Sequence, residues 1–183
     1  MNVANAITLL RLCLVPVMAY LLLEGSHAAA FWTFVVASVS DGIDGFVARR
    51  FNQRTQIGAV LDPVADKLLI LASVLGLAWI KVLPLWLAAL MIGRDFVIVV
   101  GAASYRLAIG AYQMQPTALG KICTFLQFAL IVILLAQTAG YLDARFALPW
   151  LFGVVAGFTV LSGAHYVWVW GQKASRSHAA SAD

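Results

Sequence analysis

The sequence predicts an all-α integral membrane protein of six transmembrane helices, and three observations predict it. Hydrophobic residues make up 63% of the 183-residue chain and charged residues only 11%, whereas a soluble domain carries about 25% charge and roughly half apolar residues. The mean hydropathy is +0.92. Continuous apolar runs alternate with short polar breaks, and at about 20 residues per span the chain holds six of them with no room for an extramembrane domain. So few charges could not cover an aqueous surface, which excludes a soluble globular domain and a disordered chain alike. The net charge of +4 reads as cytoplasmic loops rather than nucleic-acid binding.

The first span is expected at about 6–23, closed by Glu24-Gly25-Ser26-His27. Ser26-His27-Ala28 has the small-x-small form of a signal cleavage site. No Lys or Arg precedes the apolar run, however, and Arg11 interrupts it, so this helix is expected to be retained. Spans two and three fall at about 28–47 and 58–80, on either side of a polar break from Arg49 to Gln56. A tight turn at Lys81 to Pro84 leads into span four at about 83–104. A longer break, Arg106 to Thr117, contains Gly110, Gln113 and Pro116 and precedes span five at about 118–139. Gly140 to Arg145 separates that from span six at about 147–170, and the Ala/Ser-rich tail from Lys173 to Asp183 is expected to fray. Strands of a membrane barrel would show alternating segments of about ten residues; these runs are longer and unbroken.

Lys and Arg set the orientation. Arg49, Arg50 and Arg54 lie in the second loop, Arg106 in the fourth with Lys121 just beyond, and Lys173 and Arg176 in the tail, against only Lys81 and Arg145 in the odd-numbered loops. Both termini and the even-numbered loops are therefore expected in the cytoplasm. Cys13 and Cys123 lack metal-ligand spacing and read as buried apolar fillers. Trp79, Trp86, Trp150, Trp168 and Trp170 fall near span ends, as interfacial aromatics do, and Trp32 near the start of span two. His165 reads as a hydrogen-bonded packing residue, and His178 sits in the tail.

Four of the eight acidic residues fall between positions 41 and 66. Asp41 and Asp44 are three apart and Asp62 and Asp66 four apart, so each pair lies on one face of its own helix. The two helices can run antiparallel with the pairs facing each other at the cytoplasmic end. A carboxylate at the centre of a membrane helix costs roughly 2.5–3.5 kcal/mol, a cost that proximity to the interface reduces. Four like charges converging on one place repel unless something cationic sits among them. All-oxygen ligands suit hard divalent cations; ion pairs with Arg49, Arg50, Arg54 and Lys67 are the plainer alternative. Gly42, Gly45, Ala48, Gly58 and Ala59 leave the helix surfaces beside the carboxylates nearly bare. Small-residue packing accounts for part of that, and bare backbone also admits a flat ligand closely. Metal, bare backbone and Arg49 together describe a pyrophosphate site with room for a base.

Asp41-x-x-Asp44-Gly45-x-x-Ala48-Arg49, eight residues, then Gly58-x-x-x-Asp62-x-x-x-Asp66 resembles the signature of the CDP-alcohol phosphatidyltransferases at every defined position. Asn2-x-x-Asn5-x-x-Thr8-x-x-Arg11 also resembles the first helix of the bacterial phospholipid-synthesis members. The resemblance implies a bundle of that family over 1–172, followed by a flexible cytoplasmic tail at 173–183. It implies that Asp41, Asp44, Asp62 and Asp66 hold two Mg²⁺ or Mn²⁺ ions on the pyrophosphate of CDP-diacylglycerol, with Asp66 also the general base. Gly45, Ala48, Arg49, Gly58 and Lys67 would bind the CDP-lipid. CMP would leave, at the cytoplasmic face of the cell's inner membrane, from an enzyme that commonly forms homodimers.

The second half is expected to bind the acceptor phosphate through Arg94, Arg106 and Lys121, arginine offering a bidentate fork. Arg94-Asp95 could also be a self-neutralising neighbour pair, although adjacent residues on a helix point about 100° apart. Members using glycerol 3-phosphate usually carry Arg-Glu where Arg94-Asp95 stands, and Gly-Lys-x-Lys-Thr along Gly120-Lys121-Ile122-Cys123-Thr124. Here Cys123 replaces the second lysine, and one cation fewer suits a phosphodiester. Arg94-Asp95, Pro116-Thr117 and Ser162-Gly163-x-His165-Tyr166-Val167-Trp168 look more like the CMP-forming cardiolipin synthases. Phosphatidylglycerol is therefore the expected acceptor and cardiolipin the product, with glycerol 3-phosphate the alternative. A transporter would also place acids in membrane helices, but would more often spread them toward the midplane and repeat its halves.

Overall fold

The computed structural model describes residues 3–51, 56–109 and 117–180, with side-chain surroundings at 8–40, 62, 64–101 and 117–169. Six α-helices follow one another: α1 (Val3–Leu23), α2 (His27–Phe51), α3 (Gln56–Trp79), α4 (Leu85–Ile109), α5 (Ala118–Thr138) and α6 (Leu148–Ala180). Among the described residues there is no strand. Each expected span has its helix, with ends within a few residues except where α2, α4 and α6 run on. α6 continues past residue 170 to Ala180, through the stretch expected to fray; Ala, Lys and Arg in that stretch are strong helix formers.

Two helical stretches among the described residues are long and apolar enough to cross a membrane, Ala118–Thr138 and Leu148–Val169, while Thr8–Leu23 and His27–Ser40 are apolar but shorter.

The chain forms two compact units. The first joins Met1–Leu85 to Ile131–Ala144, and in it α1 packs against both α2 and α3. Its core includes Met18, Leu22, Phe34, Leu69, Leu77 and Leu134, all buried. α1 and α3 approach so closely at Gly76 that a Cβ there would lie 2.7 Å from Leu22 Cδ2.

The three odd-numbered helices of this unit end alike. The amide of Ser26 donates to Leu21 O at 2.9 Å, that of Val82 to Leu77 O at 3.0 Å and that of Tyr141 to Ala136 O at 2.9 Å. In each case the residue before the donor is left-handed: Gly25 at φ 88°, Lys81 at 60° and Gly140 at 78°. This is the Schellman stop, which satisfies the last carbonyls of a helix. The chain then turns at once, so the breaks at 24–26 and 80–84 are short. Near the last stop, Trp32 Nε1 donates to Tyr141 Oη at 3.0 Å, with Phe31 edge-on to Tyr141.

The second unit joins Trp86–Leu130 to Arg145–Asp183. Leu87, Ala88 and Met91 of α4, Cys123 and Leu130 of α5 and Val155 of α6 are buried in it. A polar seam runs through this apolar packing. Thr159 Oγ1 donates to Val155 O at 2.7 Å, receives Gln127 Nε2 at 3.2 Å and meets Cys123 Sγ at 3.6 Å. Cys123 is buried as expected, but Cys13 is exposed. Arg11 is turned inward and 1% exposed, and a residue two further along a helix sits about 200° round from it.

Polar side chains are buried beside the apolar cores, and large apolar side chains face outward. Thr8, Arg11 and Ser73 are buried in the first unit and Arg94, Gln127, Thr159 and Ser162 in the second, while Leu10, Tyr20, Phe96, Phe125, Leu161 and Val167 are exposed. Trp32, Trp79, Trp86, Trp150 and Trp168 are all more than half exposed, as aromatics at a bilayer interface would be. The side chain of Trp170 lies outside those described.

Candidate active site

The aspartates enter from two helices. Asp41, Asp44, Gly45, Ala48 and Arg49 are in α2 and Gly58 is in the first turn of α3, with side-chain surroundings outside those described. Arg54 and the segment 110–116 lie outside the described residues altogether. Asp62 and Asp66 sit one turn apart on α3, both half-buried, with Lys67 exposed beside them.

α1 addresses this face of α3. Thr8 is completely buried, and its hydroxyl donates to Asp62 Oδ1 at 2.6 Å. A charge-assisted O–H···O⁻ bond of that length is among the stronger ones available to a side chain. It fixes the carboxylate rotamer while leaving Oδ2 and a second lone pair on Oδ1 for another partner. Arg11, one turn along α1 from Thr8, is also buried. Two carboxylates one turn apart, one of them oriented by a buried hydroxyl, are hard oxygen donors suited to a divalent cation. Among the described residues no three metal-ligating side chains come together; Asp62 and Asp66 are half of the four-aspartate motif.

The aspartate motif by itself gives Thr8 no role. The signal was its placement in Asn2-x-x-Asn5-x-x-Thr8-x-x-Arg11, polar residues at helical spacing on an otherwise apolar helix.

The expected acceptor residues belong to the second unit, except that the side chain of Arg106 lies outside those described. Lys121 is exposed in the first turn of α5. Arg94 is 7% exposed, and its guanidinium is already engaged by the protein. Nη1 pairs with Asp95 Oδ1 at 2.8 Å; Nη2 donates to Ser162 Oγ at 2.9 Å and to Gly120 O at 3.4 Å. Its carbon lies 5.9 Å from the centre of the Tyr166 ring. The neighbour pairing that helical geometry argued against thus forms, because the long arginine side chain bends back to its neighbour. Nε stays buried without a hydrogen bond. His165 Nδ1 is buried and likewise unbonded, so the hydrogen bond expected there is not formed at that nitrogen; the ring lies edge-on to Tyr166.

A family model described as CDP-alcohol phosphatidyltransferase matches residues 1–164. The chain is 36% identical over 178 residues to a cardiolipin synthase (CMP-forming)/mitochondrial hydrolase fusion protein of Schizosaccharomyces pombe, covering 88% of this chain and 30% of that one. It is 34% identical over 160 residues to a cardiolipin synthase (CMP-forming) of Streptomyces coelicolor, covering 83% of this chain and 74% of the other. A CDP-diacylglycerol–glycerol-3-phosphate 3-phosphatidyltransferase of Bacillus subtilis is 31% identical over 183 residues, covering 90% and 93% respectively. The chain thus spans under a third of the fusion protein and most of each bacterial relative.

Proposed function

The chain belongs to the CDP-alcohol phosphatidyltransferase family, and on that premise we propose that it transfers the phosphatidyl group of CDP-diacylglycerol to phosphatidylglycerol, releasing CMP and forming cardiolipin. The reaction class rests on the family match over residues 1–164, together with Asp62 and Asp66 on the α3 face that Thr8 addresses. Family membership also sets the transporter reading aside.

The family works with divalent cations, and the donor chemistry here fits them. Asp41, Asp44, Asp62 and Asp66 would hold two ions, Mg²⁺ or Mn²⁺. Such ions, when bound, neutralise phosphoryl charge and stabilise both the attacking and leaving oxygens. The protein's own work is placement. Thr8 holds Asp62 in one rotamer. Gly45, Ala48, Arg49, Gly58 and Lys67 receive the cytidine and pyrophosphate. Asp66 takes the proton from the acceptor hydroxyl, whose oxygen bonds to the phosphatidyl phosphorus as the bridging P–O bond to CMP breaks. Holding donor and acceptor in line supplies most of the rate.

Cys123 supports phosphatidylglycerol as the acceptor. By the resemblance it stands where members using glycerol 3-phosphate usually carry a second lysine, and it is completely buried with its sulfur against Thr159. A packed neutral side chain there leaves Lys121 and Arg106 to face one phosphodiester charge. Glycerol 3-phosphate is the second reading, because the Bacillus subtilis relative named for it aligns along 93% of its length. Six membrane spans, a cytoplasmic site in the inner membrane and a homodimer complete the proposal. The exposed large apolar side chains support the membrane placement, and the Lys/Arg bias supports the orientation.

Purified protein with CDP-diacylglycerol and Mg²⁺ or Mn²⁺ is expected to release CMP with phosphatidylglycerol and to make cardiolipin. CMP release with glycerol 3-phosphate alone reverses the acceptor, and release with neither rejects the enzyme reading.

A further inference from the structure

The start of α5 is held by more than its own helix. Thr117 caps it, its Oγ1 accepting the amide of Gly120 at 3.1 Å while its carbonyl accepts the amide of Lys121 at 3.1 Å. The amide of Thr117 in turn donates to Tyr166 Oη at 3.4 Å. Tyr166 sits one turn beyond Ser162 on α6, so both lie on one face. Arg94 of α4 donates to that same Ser162 and to the carbonyl of Gly120, and its guanidinium stands by the Tyr166 ring. Three helices therefore converge on the residues immediately before Lys121.

Gly120 shows how tight the convergence is. A Cβ there would lie 2.8 Å from Tyr166 Oη and 3.2 Å from Thr117 Oγ1, the two atoms that make the cap. At Gly163 of α6, by contrast, a Cβ would meet Arg94 Cγ at an ordinary contact distance of 3.8 Å. Lys121 itself is exposed, at the end of a helix where the backbone dipole disfavours a cation. The exposed positive charge and the positive helix end add their fields in one spot, which suits an incoming phosphate.

We propose that Arg94 and Tyr166 form a brace that fixes the first turn of α5, so that both are positioning residues for Lys121 and set the KM for the phosphate-bearing acceptor. Arg94 then acts through Lys121 instead of contacting the acceptor as the sequence suggests. The inference rests on Lys121 meeting the acceptor phosphate, and its test separates the two claims.

Steady-state kinetics on the purified enzyme in mixed micelles, with phosphatidylglycerol varied against fixed CDP-diacylglycerol and the reverse, read the brace. Tyr166→Phe removes the Thr117 acceptor and keeps the ring beside Arg94. It is expected to raise the acceptor KM about fivefold, as loss of one hydrogen bond would, with kcat and the CDP-diacylglycerol KM unchanged. Ser162→Ala, which removes one acceptor of Arg94, is expected to shift the acceptor KM in the same direction. In a Lys121→Ala background Tyr166→Phe should add nothing. An unchanged acceptor KM in both variants, or a loss spread over kcat and both KM values, overturns the brace. Lys121→Ala with a wild-type acceptor KM overturns the acceptor role of Lys121, and the brace with it.

Discussion

Thr8 carries the clearest structural information at the residue scale. Its hydroxyl reaches Asp62 from a different helix, a contact between residues 54 positions apart. Partners that orient a ligating carboxylate typically matter 10–100-fold to metal affinity or activity. Thr8→Val keeps the shape and removes the donor, and is expected to weaken Mn²⁺ binding about tenfold or more, measured by the electron paramagnetic resonance of free Mn²⁺. Thr8→Ser should restore most of it. Equal Mn²⁺ affinity in Thr8→Val and wild type would leave Thr8 a packing residue. Arg94 gives the opposite lesson. Its residue type and its place in an apolar helix invite a ligand-binding role, yet Asp95, Ser162 and Gly120 engage both of its Nη atoms. Only the tertiary neighbours distinguish an arginine that meets a ligand from one that holds helices.

At the scale of elements, the helix ends explain why the chain turns where it does. Gly25 and Gly140 sit at left-handed positions and are visible as breaks in the sequence. Lys81 occupies the corresponding position after α3, where an L-residue with a side chain costs roughly 1–2 kcal/mol. Lys81→Gly is therefore expected to raise the unfolding midpoint by about 2–4 °C, and Gly140→Ala to lower it by a similar amount, both read by thermal unfolding in detergent. A lower midpoint for Lys81→Gly would mean that its side chain supplies more than its backbone loses. The helices themselves were legible from apolar runs and polar breaks. The continuation of α6 to Ala180 was not, because an Ala/Ser-rich stretch without apolar periodicity gives no packing signal and only helix propensity speaks for it.

At the scale of the molecule, buried Arg11 and Arg94 with exposed Phe96, Phe125 and Trp168 make sense when hydrocarbon is the solvent, since a polar group is then best placed inward with partners. The orientation has its own test. In a Cys13→Ala, Cys123→Ala background, Asp143→Cys is expected to react with an impermeant maleimide on intact cells, and Lys121→Cys only after permeabilisation. The reverse pattern would move the site to the other face.

Residue order alone determined the helix count and the four-aspartate motif, because apolar run length and i,i+3 and i,i+4 spacing are local properties of the chain. Long-range pairing decided the rest. Thr8 on Asp62, Cys13 outward and Cys123 inward, and Arg94 shared among Asp95, Gly120 and Ser162 all depend on which helix faces which. Hydrogen-bond direction and burial are fixed only when those faces meet.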